Sequence, residues 1–82
     1  MLSRDEIFLK IKAYLEEMFE VPPEKVSREA RLVEDLDLDS IDAVDLIVRL
    51  QEVTSRKFSP EEFKSVRNVG DIVDRVYDLL AP

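Results

Sequence analysis

Residues 34–44 read EDLDLDSIDAV, five carboxylic acids and one hydroxyl within eleven positions. Three kinds of chemistry suit such a set. Asp35-x-Asp37-x-Asp39 opens like a calcium loop, but Ser40 stands at the glycine position and Leu46 at that of the final bidentate glutamate. An Asp-x-Asp pair also serves as nucleophile in phosphotransferases. That reaction needs a scaffold that excludes water and positions a metal, and 82 residues of helical pattern offer little of either. The third is ester formation on Ser40. A helix N-terminus presents unpaired N–H groups and partial positive charge, which suits a phosphate ester on a serine placed there. The plain alternative is that Ser40 only caps a helix.

Composition narrows the field. The chain has no cysteine and no histidine, so it encodes no thiol chemistry and lacks the commonest general base and zinc ligand. Its net charge is −7, and residues 34–52 hold seven acids against Arg49 alone. Nucleic acid and anionic membrane are poor partners for that surface, and a basic protein patch is a better one. No stretch approaches the roughly 20 apolar residues of a membrane span. The opening MLSRDEIFLKIK lacks a secretory apolar run, so a cytoplasmic location is expected. No self-complementary apolar patch is evident, so a monomer is expected.

Four helices are predicted to position these residues, in one domain over residues 1–82. Ser3-Arg4-Asp5-Glu6 is a capping box, followed by Ile7, Ile11, Tyr14, Leu15 and Met18 at helical spacing, and Pro22-Pro23 stops the run. The connection over residues 20–39 carries Val21, Val26, Ala30, Leu32, Val33, Leu36 and Leu38, too many apolar side chains for polar filler. It is expected to pack across the bundle. The second helix starts at Asp39 or Ser40 and runs to about Thr54. Ser59-Pro60-Glu61-Glu62 opens a short third helix with Phe63 and Val66. Asn68 caps a fourth, whose inner face is Ile72, Val73, Val76, Leu79 and Leu80. The expected class is all-α, a four-helix bundle with a long first loop.

At about 100° per residue, Ala43, Leu46, Ile47, Leu50 and Val53 share the core arc of the second helix. Ile41, Val44 and Val48 lie on the far side. Asp45 and Glu52 flank them, with Asp42 and Arg49 further round. A helix in a small bundle touches neighbours on two sides, which accounts for part of this pattern. A partner-docking strip, apolar for affinity and acidic for steering, accounts for all of it.

Asp39-Ser40-Ile41 resembles the Asp-Ser-Leu signature of acyl carrier proteins, and Glu34 to Ser40 resembles the loop leading into it. The resemblance covers the whole chain and implies a four-helix bundle of acyl-carrier type. It implies that Ser40 receives 4′-phosphopantetheine from coenzyme A through a separate phosphopantetheinyl transferase. The arm's thiol then carries acyl chains as thioesters, and the chain is a carrier, not an enzyme. It also implies that basic docking patches on the transferase and on acyl-processing enzymes read Asp39, Asp42 and Asp45, with Ile41, Val44 and Val48 as the apolar part. Part of an acyl chain would lie among Leu32, Leu50, Phe58, Phe63, Val66 and Ile72, each of which also serves as ordinary core. Phe58 and Phe63 are bulky for that purpose and argue against deep sequestration.

The sequence departs from the pattern at Asp37, where many relatives have glycine, at Ile41, and at Thr54, where an apolar residue is common. Arg49 interrupts the acidic face, and Arg56-Lys57 follow its end. These departures favour a carrier dedicated to a specialised lipid, polyketide or polyene pathway at least as much as the housekeeping fatty-acid carrier. An unmodified helical adaptor that only binds partners is the alternative reading, with an aminoacyl or peptidyl carrier as a close cousin.

Overall fold

The computed structural model describes residues 2–80, so the ends of the expected 1–82 domain lie outside the described residues. Three α-helices form the body: α1 (Arg4–Phe19), α2 (Ser40–Thr54) and α3 (Val69–Leu80). Short 3₁₀ turns occupy Pro23–Lys25 and Pro60–Phe63. The chain is all-α as expected, but the expected third helix is one of these turns. Its bonds run three residues back, from the Glu62 amide to the Ser59 carbonyl (3.0 Å) and the Lys64 amide to the Glu61 carbonyl (3.3 Å). A segment this short does not recover the nucleation cost of an α-helix, and the tighter turn closes instead.

Helix α1 starts where Ser3 and Glu6 bond each other's backbone amides at 3.1 Å. Ile7, Ile11 and Leu15 then fall on one line and are buried. Helix α3 answers them with Val69, Ile72, Val73 and Val76, and starts on a similar exchange between Asn68 and Asp71. Val69 joins the core beside the residues expected there, whereas Leu79 and Leu80 lie at its edge. Arg4 reaches from α1 to Asp74 on α3 at 3.1 Å, and its guanidinium lies over Tyr77. Exposed pairs of this kind contribute about 0–1 kcal/mol each, so the apolar seam dominates.

The long connection packs as its composition predicts. Val21, Val26, Ala30, Leu32, Leu36 and Leu38 are buried, and of the seven apolar residues only Val33 faces solvent. The connection is fastened to the start of α3 through backbone bonds from Leu32 to Arg67 (3.0 Å), Val69 to Ala30 (3.0 Å) and Gly70 to Arg28 (2.8 Å). Gly70 is required by this approach, because a Cβ there would meet the Arg28 carbonyl oxygen at 3.0 Å. Asp37 adopts φ 57°, the left-handed turn for which glycine is the easier residue and aspartate a tolerated one.

On α2, Leu46, Ile47 and Leu50 are buried. Val53, expected on the same arc, is exposed. The inward stripe continues to Thr54 instead, which is half-buried and satisfies its hydroxyl on the Leu50 carbonyl at 2.7 Å. Phe58 and Phe63 then close the end of the core with ring centroids 6.0 Å apart.

Candidate functional site

The helix start at residues 39–42 is built by two carboxylates. Asp39 has extended backbone (φ −94°, ψ −175°), and its Oδ1 accepts from the Asp42 amide at 2.9 Å. Asp42 Oδ2 accepts in return from the Asp39 amide at 3.3 Å. Asp39 is therefore the cap, and Ser40 is the first helical residue. The two-way expectation for the cap resolves on the longer-reaching carboxylate. Ser40 is exposed, and its hydroxyl makes no side-chain hydrogen bond among the described residues.

The loop presses this start against the fold. Leu38 is buried one residue before the cap, and its amide bonds the Leu32 carbonyl at 2.8 Å. Asp35 accepts from the Arg31 amide at 2.8 Å. The alternate aspartates are thus engaged on different backbone groups: Asp35 on residue 31, Asp39 on residue 42. Among the described residues no group of three or more such side chains is arranged to hold a metal ion.

Beside Ser40 lies a cleft of about 420 Å³ with mainly apolar walls. Leu32, Leu38, Ala43, Ile47, Phe63 and Val66 line it. Of the six side chains expected to line an acyl site, Leu32, Phe63 and Val66 are brought to this cleft. Leu50, Phe58 and Ile72 are not among its lining and lie buried in the core. The small side chain of Ala43, half-buried one turn into α2, leaves the space open. A cleft of similar size, about 430 Å³, lies at the opposite end of α2 beside Leu2, Val53 and Leu80. Its hydroxyl, on Thr54, is already bonded to Leu50.

The outer face of α2 keeps its apolar side chains in water. Ile41 is 70% exposed, Val44 40% and Val48 45%. Asp45 and Glu52 are exposed and have no ion-pair partner among the described residues. Arg49 does not neutralise this face. Its guanidinium turns to α1, bonding Glu17 at 2.9 Å and lying 5.2 Å from the centre of the Tyr14 ring. Sequence spacing shows an interrupting base but not the partner that removes it. It also missed Leu38, Ala43 and Ile47 as walls of the cleft, of which Ala43, small on an otherwise bulky arc, was the available signal.

An exposed, unbonded hydroxyl at the first turn of a helix, with a partly apolar cleft alongside, fits a phosphodiester-linked arm. In keeping with this, residues 9–76 match the family described as the phosphopantetheine attachment site. Acyl carrier protein 2 of Ralstonia nicotianae is 52% identical over 80 residues, covering 98% of this chain and 99% of its own length. The acyl carrier protein of Thermotoga maritima is 37% identical over 76 residues, 93% of this chain and 94% of its own. That of Coprothermobacter proteolyticus is also 37% identical, over 89% of each chain. The chain belongs to the acyl carrier proteins, which bear their cargo on covalently attached 4′-phosphopantetheine.

Proposed function

We propose that Ser40 is the attachment point of the arm and that the outer face of α2 is what partner enzymes read. The observation that carries the first part is the state of the Ser40 hydroxyl: exposed, unbonded and beside the cleft. Asp39 fixes the Ser40 backbone by capping the helix, so the hydroxyl that must form the phosphodiester projects from a defined point. The positive end of the α2 dipole then lies beside the phosphate. When bound, the arm supplies a thiol that carries acyl groups as thioesters, a group the polypeptide itself lacks.

Among the acids expected to steer partners, Asp39 and Asp42 have a structural task as well, whereas Asp45 has none. Ile41, Val44 and Val48 supply the apolar part of the docking face. Leu32, Phe63 and Val66 contact the first part of an acyl chain, with Leu50, Phe58 and Ile72 behind them. The chain acts as a monomeric carrier in the cytoplasm, modified by a phosphopantetheinyl transferase and used by acyl-processing enzymes. It is not itself a catalyst. Residues 1–82 carry one acyl carrier domain. The departures at Asp37, Ile41 and Thr54 favour a specialised lipid, polyketide or polyene pathway at least as much as housekeeping fatty-acid synthesis.

The test is intact mass after incubation with coenzyme A, magnesium and a broad-specificity phosphopantetheinyl transferase. The parent is expected to gain one phosphopantetheine group, mapped to Ser40, and Ser40→Ala none. Because Ser40 is not the cap, the variant should keep its stability to within about 0.5 kcal/mol. A modified Ser40→Ala protein would overturn the assignment.

A further inference from the structure

The cleft beside Ser40 has a charged rim whose two halves differ. Glu34, Asp39 and Glu61 supply carboxylates, and Lys64 and Arg67 supply cations. Two of the carboxylates are engaged elsewhere. Glu34 lies 3.6 Å from Arg31, and Asp39 caps α2, which leaves Glu61 as the one rim carboxylate without such an engagement among the described residues, against two cations. Neither Lys64 nor Arg67 has an ion-pair partner among the described residues, and both are exposed. The Arg67 backbone is also fixed beside the cleft, its amide donating to Asp71 at 2.9 Å and its carbonyl accepting from Leu32 at 3.0 Å. In a chain of net charge −7, two uncommitted cations thus share a cleft with the hydroxyl that takes the arm.

We propose that Lys64 and Arg67 form a cationic rim that holds an anionic oxygen group, either the phosphodiester on Ser40 or a carboxylate on the cargo, against the cleft. The proposal rests on Ser40 as the attachment point. Mainly apolar walls on one side of the rim reduce solvent screening, so a charge there acts more strongly than one on an open helix face. The chemistry selected is amphiphilic: an apolar stem along Leu32, Phe63 and Val66, ending or beginning in an anion. A neutral cargo satisfies the walls and leaves the rim to water.

The experiment uses ¹⁵N-labelled protein in the free form, with the bare arm, and with the arm bearing a butyryl or a succinyl group. All are made from the corresponding coenzyme A compounds and checked by mass at Ser40. Amide shifts of residues 63–67 and the arm's ³¹P resonance are read in the parent, in Lys64→Ala/Arg67→Ala, and in Arg56→Ala/Lys57→Ala. The last removes the same charge elsewhere. Changes that appear with the bare arm, persist in the Arg56/Lys57 control and vanish in the rim variant place the phosphodiester on the rim. Changes that appear only with succinyl and vanish likewise place the cargo carboxylate there. Equal shifts in the parent and the rim variant, with the arm on Ser40, would overturn the rim and leave the attachment site standing. An arm mapped to another residue would overturn the attachment site itself.

Discussion

Helices α2 and α3 are of similar length and both begin with a carboxylate–amide exchange, yet they treat their apolar residues oppositely. Helix α3 turns Val69, Ile72, Val73 and Val76 inward and shows no large apolar side chain fully to solvent. Helix α2 buries Leu46, Ile47 and Leu50 but leaves Ile41, Val44, Val48 and Val53 exposed. Four of the six exposed large apolar residues among those described are on α2. Stability alone does not ask for such a strip, because removing it from the surface would not touch the core. The difference separates a helix that holds the fold from one whose exposed strip is, in the function proposed above, the face that partners read.

A matched pair of truncations breaks this comparison most directly. Val76→Ala empties a fully buried site and should cost about 2–3 kcal/mol in denaturant unfolding. Val44→Ala deletes the same atoms from a 40% exposed site. It should stay within about 0.5 kcal/mol of the parent while slowing arm transfer. Equal losses of stability would remove the distinction between the helices. Gly70→Ala sharpens the α3 side. The new Cβ must push the Arg28 carbonyl, and the expected loss is about 1–2 kcal/mol despite the better helix propensity of alanine.

Charge reversal sharpens the α2 side. Asp45→Lys should slow phosphopantetheine transfer severalfold at low salt, with the difference fading as salt is raised and with no change in melting temperature. Transfer rates indifferent to the reversal would place the reading face elsewhere. Asp45 is a cleaner probe than Asp42, whose loss would also undo the helix start. The smallest effect belongs to α1. Bonding from the Ser3 backbone amide and hydroxyl holds the exposed Glu6 carboxyl below the usual carboxylate range. Its contribution to stability is present above its unfolded pKa of about 4.3 and is lost as pH falls through the lower folded value. Glu6→Gln should therefore lower stability slightly at neutral pH, leave it nearly unchanged in acid, and so flatten the acid limb of the stability curve.

Much of this was legible from local chemistry. Ser3 with Glu6 and Ser59 with Glu62 read as capping boxes because each pair sits three residues apart, and both form. The buried connection was legible because its apolar residues exceed what solvent tolerates, whereas the left-handed turn at Asp37 was hinted at only by the resemblance, in which many relatives have glycine there. What escaped depends on distance in three dimensions. Whether Pro60–Phe63 winds as α or 3₁₀ is decided by a difference too small for residue types to show. Arg49 reads as part of an acidic face until Glu17 and Tyr14, far off in sequence, are seen to claim it. The cleft is a gap, and a gap is specified by the small size of Ala43 together with neighbours from three separate segments.

The fastening of residues 28–32 to residues 67–70 has a mechanical consequence. It closes the chain into a large ring with α2 inside it, and both ends of that ring are anchored on the α1–α3 unit. None of these fastening bonds involves α2, so a displacement of α2 would leave both anchors in place. Such a partial opening lies below global unfolding in free energy, as opening of a less contacted element generally does. In a carrier built this way, a rearrangement of the cleft wall that α2 contributes would be a local event, with the fastening between residues 28–32 and 67–70 kept.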